Sequence, residues 1–119
     1  SWVIQSDKVE AAVTQLGGHL APVTFALGRK KVEPYWIAPW VEESLKGIEP
    51  GVAKSCRGDF FCMPFGLNEK PYKGEQYTIH GETPSKTWTF QSVEEDRDHV
   101  TLHLGLRTEI RKGLVEKSI

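Results

Sequence analysis

Apolar and polar positions alternate with a period of two along much of the chain, and that period predicts strands. The clearest run is residues 99–111. Val100, Leu102, Leu104, Leu106 and Ile110 fall on one parity, while Thr101, His103, Arg107, Glu109 and Arg111 fall on the other. One face of such a strand is buried and the other is wet. Residues 2–5 and 8–16 read as shorter strands joined by a Ser6-Asp7 turn, with Val9, Ala11 and Val13 on one side of the second. The Gly17-Gly18 pair breaks the pattern, and residues 19–27 resume it. Pro22 inside that run cannot donate to a ladder, so the strand is expected to be bulged or to lie at an edge.

Residues 28–51 lose the alternation and carry Pro34, Pro39, Pro50, Gly28 and Gly47, so they read as a long structured loop with one helical turn around residues 42–46. Alternation returns in residues 75–80, which put Thr78 and His80 on one face and Tyr77 and Ile79 on the other. It continues in residues 87–94, with Trp88 and Phe90 together, and in residues 114–119. Turns are expected at residues 83–86 and 96–98. No segment longer than two turns has helical periodicity, so the expected class is all-β, an antiparallel β-sandwich.

The stretch between Cys56 and Trp88 holds the chemistry-bearing residues. If residues 57–65 are extended, Arg57, Asp59, Phe61, Met63 and Phe65 share a face, which places two ionisable groups beside a row of large apolar ones. Pro64 and Gly66 should bend or end that strand and open it onto a loop, where binding groups collect. The sequence Arg57-Gly58-Asp59-Phe60-Phe61-Cys62-Met63-Pro64-Phe65-Gly66, followed by His80-Gly81 and Trp88, resembles the N-terminal part of the aldose 1-epimerase (galactose mutarotase-like) superfamily.

That resemblance implies a mutarotase-like supersandwich, of which residues 1–119 form a single N-terminal domain. It also implies a protein of carbohydrate metabolism that acts on hexose sugars by acid–base ring opening at the anomeric centre. It gives His80 the catalytic role and gives sugar binding to Arg57, Asp59, Phe65 and Trp88. Removal of a proton from the anomeric hydroxyl and delivery of one to the ring oxygen suit imidazole and carboxylate groups near neutral pH. The family's second histidine and its glutamate have no match in this sequence. Its phosphate-specific branch commonly carries an arginine three residues after His-Gly, whereas this chain reads Gly81-Glu82-Thr83-Pro84. A neutral sugar is therefore preferred over a phosphorylated one. The alternatives are a non-catalytic carbohydrate-binding sandwich and a structural or interaction domain.

Other residues carry plainer expectations. Arg57 and Asp59 also fit a simple ion pair, and His80 a hairpin cap. His19 reads as a turn or core histidine. Trp36 and Trp40 fit either stacking on a sugar face or pinning the loop to the sheet. His99 and His103 lie ~13 Å apart if the run is a strand, too far for one metal ion. Cys56 and Cys62 are read as free thiols, because disulfide partners need Cα atoms within ~7 Å. No cofactor or metal is expected.

Composition sets the remaining bounds. With 119 residues, 39% of them hydrophobic, the chain supports one modest core. A net charge of -1 and a pI near 6.4 give no basic field for nucleic acid or a membrane surface. No apolar run approaches the ~20 residues of a membrane span, and the expected setting is cytoplasmic. The only methionine is Met63, and the pattern after Lys112-Gly113 stops in mid-strand, so the chain reads as a piece of a longer one with sheet edges open to self-association.

Overall fold

The computed structural model describes residues 1–41 and 51–119. Among them the protein is all-β, with two antiparallel sheets. The first has the order β1 (Trp2–Gln5), β2 (Val9–Val13), β3 (Leu20–Leu27), β4 (Lys30–Val32). The second has the order β5 (Thr89–Glu95), β6 (Val100–Thr108), β7 (Gly113–Ser118). Two short 3-10 turns, Pro39–Val41 and Gly51–Ser55, lie between the sheets in sequence. The helical turn expected at residues 42–46 falls outside the described residues. Among the described residues, no helix is long and apolar enough to cross a membrane.

Local chemistry explains the first sheet. The β1–β2 hairpin closes on Ser6, whose N–H donates to the Val9 carbonyl at 2.7 Å and whose Oγ accepts from the Lys8 and Val9 N–H groups. Between β2 and β3 the register runs Ala11↔Val23 and then Val13↔Leu20, two steps on one strand against three on the other. That extra step is a bulge, and it contains Pro22, the residue that cannot donate.

Strand β4 corrects the reading of residues 28–51 as loop throughout. Phe25 pairs with Val32 and Leu27 with Lys30. A three-residue strand reading Lys-Lys-Val has no alternation to detect.

The core sits where the sheets face each other. Leu102, Leu104 and Leu106 of β6 meet Val13 and Trp88, with Trp2, Ile4, Leu20, Val115 and Ile119 packed around them. Leu104 is 0% exposed, as the period of two requires. Ile110 departs from the expected face. The strand ends at Thr108, whose hydroxyl donates to the Arg111 carbonyl at 2.6 Å, and Ile110 lies in the turn, 39% exposed.

The larger correction concerns residues 56–88. Neither the strand expected at residues 57–65 nor that at residues 75–80 forms. Isolated backbone bridges replace them, pairing Ile37 with Arg57, Met63 with Gly81 and Tyr72 with Glu75. Left-handed backbone angles at Gly58, Gly66, Asn68, Lys73, His80 and Gly81 reverse the extended path again and again. A side-chain period of two survives only as exposure, with Phe61, Met63, Phe65 and Leu67 all open to solvent.

Candidate functional site

The segment after Cys56 is fastened to the start of β3. Gly58 adopts φ 57° with its α-carbon turned toward the Leu20 carbonyl, where a Cβ would collide with it. The next residue, Asp59, spends its carboxylate on structure: one oxygen accepts the Leu20 N–H and the other pairs with the Lys117 ammonium. Lys117 also donates to the Gly18 carbonyl at 2.7 Å, so a cation on β7 joins the glycine turn to the loop.

Phe60 is carried by this anchor into a column of rings. Its ring stacks on His19 with centroids 5.4 Å apart and an interplanar angle of 6°. His80 meets Phe60 edge to face, at 5.4 Å and 86°, and Phe65 lies tilted against His80 at 6.4 Å. The column thus runs from a fully buried imidazole to Phe65, which is 82% exposed.

His80 is held through its backbone. Its N–H donates to the Gly66 carbonyl at 2.8 Å. The following Gly81 N–H donates to Thr78, whose hydroxyl donates back to the Gly81 carbonyl at 2.9 Å. Asn68 Nδ2 donates to the Thr78 carbonyl at 2.8 Å. Gly81, at φ 80°, lies against the Met63 carbonyl with no room for a Cβ. These contacts hold His80 at φ 64°, a left-handed angle that non-glycine residues adopt at a cost of roughly 1–3 kcal/mol and that collects at functional sites. Its Nδ1 is buried without a hydrogen-bond partner, while the residue as a whole is half-buried.

His19 differs in every respect but chemistry. It is 0% exposed, and its Nδ1 lies 3.0 Å from the Asp59 carbonyl. Its Nε2 has no hydrogen-bond partner. Burial lowers its pKa from the ordinary 6.5, opposed by the Asp59 carbonyl and carboxylate and by the Pro84 carbonyl, and reinforced by the Lys117 charge. The imidazole is therefore neutral at physiological pH, and Nδ1 carries the proton given to Asp59. Desolvation pushes the Cys62 thiol up, which keeps it a poor nucleophile.

The turn after His80 ties the site to the second sheet. Glu82 is buried, and its carboxylate accepts the Glu109 N–H at 2.8 Å and the Ile110 N–H at 3.0 Å. Thr83 donates its hydroxyl to the Phe61 carbonyl at 2.7 Å.

Of the residues singled out in the sequence, the structure brings His80 and Phe65 together. Arg57 is half-buried with an unpartnered Nε, and no hydrogen bond or ring contact joins it to His80 among the described residues. Asp59 pairs with Lys117 instead of Arg57. Trp88 is 2% exposed and donates its Nε1–H to the Thr83 carbonyl at 3.0 Å, which makes it a core residue. Trp36 packs edge to face on Trp40, whose Nε1–H donates to the Ala53 carbonyl. Cys56 and Cys62 are free.

Sequence reasoning passed over Phe60 and Lys117. A strict period of two sends Phe60 to the face opposite Phe61, and the turns remove that period. Lys117 did leave a signal, since it shares parity with Val115 and Ile119 and pairs in register with buried Leu104. A cation on a core-facing position needs a partner.

Three clefts of about 540, 700 and 490 Å³ lie elsewhere, around Gly105, between the β1–β2 and β5–β6 turns, and at the β6–β7 turn. Fold and site together define a two-sheet β protein with a histidine–phenylalanine column leading from core to surface. No family model, curated protein or solved structure matches the chain.

Proposed function

We propose that the chain binds hexose sugars through His80 and Phe65 and serves as the sugar-handling portion of an aldose 1-epimerase-like protein. The observation that carries this reading is the placement of His80, held at φ 64° by its backbone bonds, with its half-buried imidazole beside the exposed ring of Phe65. A pyranose offers an apolar face of axial C–H groups to Phe65 and hydroxyls to the imidazole. A neutral imidazole both accepts and donates, so it can take the anomeric proton or supply one to the ring oxygen. Arg57 supplies a cation for sugar hydroxyls in the same stretch of chain.

A non-catalytic reading has its own support. Among the described residues, no carboxylate or second imidazole hydrogen-bonds to His80, and ring opening needs both an acid and a base. NMR exchange between the α and β anomers of glucose and galactose, measured with and without the full chain, separates the two. Faster exchange that is lost in His80→Asn supports an epimerase. Binding without faster exchange supports a carbohydrate-binding sandwich. The absence of both binding and faster exchange across a hexose panel removes the proposal.

A further inference from the structure

We propose that His19 is a positioning residue for His80, acting through the ring of Phe60. The inference deepens the sugar-handling reading of His80 and rests on it for its functional meaning. Its physical content concerns only the ring column.

Packing alone does not explain a histidine at position 19. The side chain is fully buried, and its Nε2 lies toward the Pro84 carbonyl without forming a hydrogen bond of good geometry, so a polar atom is buried at a cost. An apolar ring of the same size would fill the space without that penalty. What a phenyl ring lacks is a donor on its edge. Nδ1–H of His19 reaches the Asp59 carbonyl at 3.0 Å, and that bond fixes the rotation of the imidazole about its last torsion. The carbonyl belongs to the residue immediately before Phe60. One hydrogen bond therefore sets the plane of His19 and the backbone that carries Phe60, and the two rings lie within 6° of parallel.

Phe60 passes this orientation on. Its other neighbour in the column is His80, at 5.4 Å and nearly perpendicular. The imidazole of His80 has no hydrogen bond at Nδ1, and every bond that holds the residue engages its backbone. Ring contacts with Phe60 and Phe65 are what remain to choose its side-chain torsions, and Phe65 is exposed on its far side. Phe60 is the rigid member of that pair because His19 stands behind it. Asp59 and Lys117 face His19 from the loop and from β7, and their ion pair holds the Asp59 backbone in place.

The test uses the full chain with His19→Phe, which keeps an aromatic ring, though a larger one, but removes the Nδ1–H anchor, and Phe60→Leu as an independent break in the column. Thermal melting establishes that each variant is folded, and Phe60→Leu is read alone if His19→Phe does not fold. The ring-proton resonances of His80 are then compared by NMR. Positioning predicts that they move toward their unstructured positions in His19→Phe, where the Phe60 ring and its ring current remain, and that His80 loses its cross-relaxation contact with Phe65 in both variants. In anomer exchange, kcat is expected to fall about tenfold with KM within about twofold, since misaimed groups cost turnover more than binding. Unchanged His80 resonances in a folded variant overturn the proposal. If the wild-type chain does not speed anomer exchange, the sugar reading falls, and the resonance comparison still decides whether His19 positions His80.

Discussion

Strand β6 and the segment between Cys56 and Trp88 are held by opposite means. On β6, one leucine at every second position faces the core, and neighbouring strands satisfy the backbone along its length. The loop segment has few buried apolar side chains of its own. Polar groups fix it instead: Asp59 reaches β3 and β7 and Glu82 the β6–β7 turn, while Thr83 and Asn68 close the segment on itself at Phe61 and Thr78. The strand is redundant, so its loss is felt globally. The loop hangs on single bonds, so its losses should be local and specific.

Four measurements sharpen or break that contrast. The largest effect belongs to the strand. Leu104→Ala removes a fully buried side chain and should cost about 2–5 kcal/mol in denaturant unfolding, with both sheets lost together. Glu82→Ala comes next, at about 1–3 kcal/mol, because it leaves the Glu109 and Ile110 N–H groups without their acceptor. Faster hydrogen exchange at those two amides, with β6 still protected, would show that the damage stays in the turn.

The third effect depends on pH. Burial holds His19 below its ordinary 6.5, so folding favours the neutral form. Above 6.5 the group is neutral in both states and contributes no pH dependence. As pH falls below 6.5, the unfolded chain takes up a proton that the folded chain refuses, and stability drops by at most about 1.4 kcal/mol per pH unit until the lowered value is passed. The difference in stability between wild type and His19→Gln, measured from pH 7.5 to 5, isolates this contribution. A difference that stays flat with pH would contradict it.

The smallest effect on stability is at the most exposed end of the column. His80→Asn should leave unfolding unchanged within about 0.5 kcal/mol, because asparagine tolerates the left-handed angle and the bonds to residue 80 are made by its backbone. Under the sugar-handling role proposed above, binding and anomer exchange should nonetheless weaken, which calorimetry and NMR would read.

How far the sequence could be read follows the same division. Where one face is buried and one is wet, a period of two is imposed by physics, and β1, β2, β3, β6 and β7 were legible from it; β5, expected at residues 87–94, is also found, at Thr89–Glu95. Pro22 marked its bulge for the same reason. Period fails where each residue answers to a different partner, and residues 57–65 and 75–80 were misread as strands on the strength of alternation alone. Left-handed residues in and around them were visible as Gly58, Gly66, Asn68 and Gly81, all types that accept such angles. Nothing local announces the same angle at His80. Phe60 was hidden because its role depends on His19, 41 positions earlier by numbering and adjacent only after folding.

Lys117 has a consequence for the order of events in folding. The hairpins β1–β2, β3–β4 and β6–β7 join residues close in sequence, and such contacts form early because little chain entropy is lost in closing them. Lys117 instead reaches the Gly18 carbonyl across 99 positions and Asp59 across 58. The anchor beneath Phe60 is therefore completed only when β7 docks, after the hairpins exist. The anchor of the ring column thus depends on the strand translated last among those that hold it.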